Sequence, residues 1–141
     1  MLIALVSLLG AFVALYLTLY KTGIIGQLAC SVGSCETVNL SRWAVFLGLP
    51  VAAWGLGTYL LLLGLAVAGV QPALEHSRRL SLALLALSGW GVLFSAWLTY
   101  LELFVIRAIC MWCVISAVLI TVVFVLAWWD WSRARASVPA A

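Results

Sequence analysis

The residues best suited to chemistry in this sequence are four cysteines, arranged as two close pairs, Cys30-Ser-Val-Gly-Ser-Cys35 and Cys110-Met-Trp-Cys113. Thiols three residues apart on a helix share one face, one turn apart. At a helix N-terminus the unpaired N–H groups and the positive end of the dipole lower a thiol pKa, which favours the nucleophilic thiolate. Gly33 and the two serines between Cys30 and Cys35 read as a loop free to move. Two pairs in succession make a relay, in which an outer pair exchanges with a soluble dithiol protein and an inner pair meets a hydrophobic oxidant. Each transfer requires only that successive sulfurs approach and that one be a thiolate.

Four cysteines allow three pairings, and the residues alone do not choose among them. Two other readings compete, and both describe a non-enzymatic membrane protein. Two close cysteine pairs can hold a structural zinc ion, although a four-residue gap in the first pair and the start of an apolar run at Cys113 fit zinc poorly. Two purely structural disulfides are the other. A bridge across a single helical turn is strained, and strained bridges tend to be labile.

The elements that position these thiols follow from composition. Hydrophobic residues make up 67% of the 141-residue chain and charged residues 8%, against about a quarter charged in soluble domains. Too little polar surface is available to cover a water-soluble core, so the chain belongs in a bilayer. The net charge of +3 is scattered with no basic stripe, which gives no support to nucleic-acid binding. Uncharged apolar runs cover Leu2–Tyr20, Gly48–Val70, Leu80–Leu101 and Cys110–Trp129. Each approaches the roughly 20 residues a spanning helix needs, and none alternates as a barrel strand would. The first run is read as a span rather than a cleaved leader, because no Lys or Arg precedes it and Cys30 lies well beyond its end. The expectation is an all-α, four-transmembrane-helix bundle forming a single domain over 1–141, with helices at about 2–20, 48–70, 80–101 and 110–129. A loop spans 21–47 and a tail 130–141.

Four spans place both termini on one side and every thiol on the other, near the segments Lys21–Leu47 and Glu102–Ile109. Arg78, Arg79, Arg133 and Arg135 lie on the terminal side, against Lys21, Arg42 and Arg107 opposite. By the positive-inside rule the termini are cytoplasmic and the cysteines extracytoplasmic, in the compartment where disulfides persist. Trp128, Trp129 and Trp131 beside Asp130 read as an interfacial belt. Trp43, Trp54, Trp90, Trp97 and Trp112 suit either a flat aromatic ligand site or interface anchoring. Gly55, Gly57, Gly64, Ser88, Gly89, Gly91 and Ser95 suit close helix packing. Glu102 and Arg107 flank the C-x-x-C, where Arg107 is placed to favour a Cys110 thiolate or the two form a solvated interfacial pair.

Further wording narrows the field. Cys30-x4-Cys35, Ser41-Arg42-Trp43, Phe46-Leu47-Gly48-Leu49-Pro50-Val51-Ala52-Ala53-Trp54-Gly55 and Cys110-Met-Trp-Cys113 occur in that order. This succession resembles the vitamin K epoxide reductase family from about Cys30 to Ala117, and its wording is similar to the prokaryotic branch. In the disulfide-bond protein B of bacteria the C-x-x-C lies instead in the first extracytoplasmic loop.

The resemblance implies a four-helix bundle around a quinone (menaquinone or ubiquinone), with the first loop and a short half-helix capping the site. It implies that Cys110 and Cys113 are the catalytic pair with Cys113 facing the quinone, and that Cys30 and Cys35 shuttle electrons to them. Ser41, Trp43, Phe46, Pro50, Trp54 and Trp112 are the residues expected around the quinone. The implied activity is a quinone-dependent thiol oxidoreductase in the inner membrane. Its electrons would come from a separate thioredoxin-fold (DsbA-like) protein, so that disulfides form in exported proteins. The vertebrate enzymes carry a Tyr where this chain has Ala117, and an Asn that Pro50–Trp54 lacks. Those departures favour ordinary quinone reduction over reduction of the epoxide.

Overall fold

The computed structural model describes residues 1–31 and 33–136; the end of the expected tail, 137–141, lies outside them. Helix α1 covers Leu2–Lys21, a short α2 covers Cys35–Leu40, α3 covers Val51–Ala68, α4 covers Arg78–Tyr100 and α5 covers Met111–Ala136. Four helical segments, Leu2–Lys21, Val51–Ala68, Arg78–Ile106 and Met111–Ala136, are long and apolar enough to cross a membrane. Their outward faces carry Leu5, Leu9, Phe12, Leu61, Leu93 and Val118, all exposed. Helices apolar all round are stable where lipid replaces water.

The spans close a ring in which α1 packs on α3 and α5, and α4 on α3 and α5. Small residues let them approach. A Cβ at Gly91 would lie 2.7 Å from Ile120, and one at Gly10 would collide with the Tyr59 ring. The bundle's apolar centre comprises Ala11, Ala14, Tyr59, Leu62, Leu84, Ile120 and Val123. At the terminal end, Ser81 Oγ donates to Asp130 Oδ2 at 2.6 Å.

The element ends differ from the sequence expectation for local reasons. α3 starts at Val51 rather than 48 because Leu49–Pro50 (β2) pairs antiparallel with Val45–Phe46 (β1), Val45 opposite Pro50 and Phe46 opposite Leu49. Leu47 and Gly48 turn the chain with φ of 52° and 80°, the left-handed pair a two-residue hairpin turn demands. Pro50, lacking an N–H, sits at the N-cap of α3. α5 runs to Ala136, so Asp130–Ala136 is helix rather than tail; Arg133 stacks 4.7 Å over Trp129 there. The expected connection Glu102–Ile109 is mostly helical too. α4 continues into a π-helical turn, Leu101–Ile106, which Arg107 closes in the left-handed region at φ 56°.

The short half-helix is α2. The chain between α1 and α3 folds back over the ring's cysteine end, through α2, a 3-10 turn at Arg42–Ala44 and the small hairpin. Lys21 Nζ donates to the Asn39 carbonyl at 2.8 Å and ties α2 to the end of α1.

Candidate functional site

Cys30 and Cys35 are joined in a disulfide with their Cα atoms 6.2 Å apart, while Cys110 and Cys113 are free thiols. That pairing uses two of the four sulfurs a zinc site would require. The loop bearing the disulfide is not the freely moving segment its composition implies. Gly33 forms an isolated antiparallel bridge with Cys110, and Ser34 N–H donates to the Ile109 carbonyl at 2.8 Å. Cys35 and Cys110, both buried, pack in one apolar cluster with Leu17, Leu28 and Val38. Cys30 is half-buried.

Cys110 takes the N-cap position of α5, its carbonyl accepting from Val114 N–H at 3.0 Å. Its sulfur accepts from Cys113 N–H at 3.4 Å and faces Asn39 Nδ2 at 3.7 Å. A side-chain oxygen normally fills this capping role; here a sulfur does. The Cys113 thiol, donating to the same sulfur, is the chief cause holding Cys110 below the usual thiol pKa. The N–H groups of Cys113 and Trp112 add to it, against burial and the nearby Glu102 charge. Arg107 takes no part; it is exposed. The helix terminus expected from the sequence and the neighbouring cysteine do the stabilising, and Glu102, being buried, forms no solvated pair with Arg107.

A cavity of about 270 Å³ opens beneath the folded-back loop. Ser41, Trp43, Phe46, Pro50 and Trp54 line it, with Cys113 in its wall. The aromatic rings are braced edge-on. Phe46 packs on Trp54 at 6.2 Å and on Phe94 at 6.0 Å between centroids, and Trp54 Nε1 donates to the Phe46 carbonyl at 2.9 Å. Ser41 Oγ donates to the Val38 carbonyl at 2.7 Å and so closes α2 rather than pointing a free hydroxyl at the cavity.

Trp112 is a correction. Its ring stands edge-on to Tyr16 at 5.2 Å, its Nε1 donates to the Ala29 carbonyl at 2.8 Å, and it lines a different, shallow groove with Phe12 and Val13. Neighbouring helical positions face different directions. With Cys113 turned to the cavity, Trp112 is turned away from it. Trp97, the other aromatic candidate, stands behind Trp43 at 6.4 Å rather than in the cavity wall.

Among the lining residues that the sequence did not assign to the site are four polar ones, Lys21, Asn39, Tyr59 and Glu102. Asn39 joins the two cysteine pairs, since its Nδ2 reaches the Cys35 carbonyl at 2.9 Å as well as the Cys110 sulfur. Tyr59 donates to the Ser116 carbonyl at 2.7 Å. Glu102 is 4% exposed and accepts from Cys110 N–H at 3.2 Å. Pro50–Trp54 carries no Asn, as the sequence reads, and the Asn in the cavity wall is Asn39 of α2.

A flat, apolar ring with carbonyl acceptors fits these surroundings. The walls are aromatic, a redox-competent thiol faces inward, and the Lys21 ammonium has donors beyond the one given to Asn39. The chain matches the sequence model of the vitamin K epoxide reductase family over residues 1–128. It belongs to that family. Vitamin K epoxide reductase family proteins are membrane-bound thiol oxidoreductases that act on quinones, so the chain is an oxidoreductase whose substrate class is a quinone. Its four-helix membrane bundle is the family's architecture.

Proposed function

We propose that this chain carries electrons from a thioredoxin-fold partner, through Cys30–Cys35 and then Cys110–Cys113, to a membrane quinone, and so drives disulfide formation in exported proteins. The observation that carries the reading is the order of the sulfurs. Cys30 is half-buried at the edge of the cluster in which Cys35 is buried with Cys110, and among the cysteines Cys113 alone lines the cavity.

In this reading a partner thiolate attacks Cys30 and frees Cys35. Cys35 attacks Cys110 of the oxidised inner pair, releasing Cys113. The partner's second thiolate displaces Cys30 from the mixed disulfide, and the partner leaves oxidised. The freed Cys30 then attacks Cys35, the loop disulfide re-forms, and Cys110 leaves as a thiolate, a departure that a depressed pKa speeds. Cys113 then delivers the electron pair to the quinone, and the Cys110–Cys113 disulfide returns. A bacterial-type inner membrane with cytoplasmic termini and extracytoplasmic cysteines is the matching placement, supported by the arginines at the terminal end and by the loop disulfide. Menaquinone and ubiquinone both satisfy the cavity's chemistry.

The test is quinone absorbance under anaerobic conditions, with protein in detergent, a reduced thioredoxin-like dithiol and decylubiquinone. Catalytic bleaching is expected. Cys113→Ala should abolish it while leaving thermal unfolding nearly unchanged. Turnover retained in that variant would overturn the assignment.

A further inference from the structure

A dithiol at neutral pH must lose protons before it can give up electrons, and the cavity holds one group able to take one. Among the described lining residues Glu102 is the sole carboxylate; the other ionisable groups there are Lys21 of α1, Tyr59 of α3 and Cys113 of α5. Glu102 sits in the π-helical turn that ends α4, a register that often marks functional sites. Its backbone carbonyl accepts from Ala108 N–H at 3.0 Å, which fixes the turn, and its side chain points back at the thiols. One oxygen accepts from Cys110 N–H at 3.2 Å, and Glu102 and Cys113 share the wall of the cavity. A carboxylate this buried is costly unless paired or used.

We propose that Glu102 is the proton acceptor for Cys113 and the proton donor to the reduced quinone. This rests on the function proposed above and adds a residue to it. The Cys113 S–H bond breaks; its proton passes to Glu102 and its electron pair to the quinone. The Cys110 thiolate, whose proton has already gone to solvent, bonds to the Cys113 sulfur and forms the disulfide. Two electrons now reside on the quinol. Glu102 returns its proton to one quinol oxygen, and solvent supplies the second, equal to the one Cys110 lost. The geometry suits the role, because Glu102 is bonded to the first residue of the inner cysteine pair and stands with Cys113 in the wall of the same cavity.

A merely structural Glu102 would cap Cys110 N–H, a task the amide oxygen of Gln performs equally well. Glu102→Gln therefore separates the roles. The assay is single-turnover reduction of decylubiquinone by pre-reduced protein, followed across pH. The unsubstituted protein should gain rate as Glu102 ionises and then level off. E102Q should be slower by about a hundredfold or more near neutral pH. The gap should narrow towards alkaline pH, where hydroxide removes the Cys113 proton directly. A rate within about threefold of the parent at neutral pH would overturn the proposal, and so would a constant deficit at every pH. Should Gln weaken the fold, Glu102→Asp carries the test. It keeps an ionisable carboxylate one methylene short, so the parent pH profile should survive at lower amplitude, and a flat profile would overturn the proposal. Failure of the unsubstituted protein to reduce the quinone would instead overturn the function itself, and this step with it.

Discussion

Gly33 pairs with Cys110 across an antiparallel bridge, and a Cβ at position 33 would fall on the Ile109 carbonyl oxygen. With φ at 85°, residue 33 also lies where an L side chain costs about 1–2 kcal/mol. The bridge holds the Cys30–Cys35 loop against the inner pair, so a single glycine governs contact between the two redox centres.

Gly33→Ala should therefore slow transfer between the pairs. Quinone reduction driven by a protein dithiol should fall by about tenfold or more, from the backbone cost alone. Single-turnover reduction by an already reduced Cys110–Cys113 pair should stay within about twofold. Equal loss in both assays would place Gly33 in the fold rather than in the relay.

The second prediction concerns pH. The Cys113 thiol is the leading cause of the lowered Cys110 pKa. Taking that donor away in Cys113→Ala should move Cys110 upward, towards the ordinary thiol value. At a given pH below that range the thiolate fraction must then drop. Ultraviolet titration of the thiolate in parent and variant checks the sign; a midpoint that stays put or falls would contradict it.

Two tryptophans should respond oppositely. Trp54→Ala removes a cavity wall that braces Phe46, and KM for decylubiquinone should rise by about tenfold. Trp112→Ala removes a ring from the far side of α5, and KM should change by less than about twofold. Comparable increases from both would mean that Trp112 turns inward during turnover.

Packing yields a fourth prediction. Gly10 abuts the Tyr59 ring, whose hydroxyl is held by the Ser116 carbonyl at 2.7 Å. The ring cannot retreat without losing that bond. Gly10→Val should cost about 1–3 kcal/mol or more, read as a lower melting temperature in detergent. An unchanged melting temperature would mean that α1 and α3 separate easily.

Much of this molecule is legible in its sequence, because lipid leaves few choices. The four spans follow from uncharged runs, and the loop residues from Ser41 to Trp54 follow from motif order and do surround the cavity. What the sequence hides is direction. Trp112 stands between two redox cysteines, yet one step along a helix is enough to turn it towards Tyr16. Glu102 reads as an interfacial charge because it borders an apolar run; only the π-helical register brings it inward. Asn39 is one polar residue among several in a loop until α2 forms and carries it between Cys35 and Cys110. Gly33 shows the same limit, since a composition that reads as mobile serves here as a close backbone contact.

The cavity's size has a consequence for selectivity. About 270 Å³ is at or below the smaller end of ligand sites, room for a substituted ring and little else. Tyr59, anchored to Ser116, and Ile120 form part of its wall towards the bundle centre. Trp54 and Trp90, both exposed, stand on α3 and α4 where the wall meets lipid. In the proposed function a long isoprenoid tail would leave between those two tryptophans. The cavity would then hold the head of the quinone alone, and chain length behind it would lie outside the site.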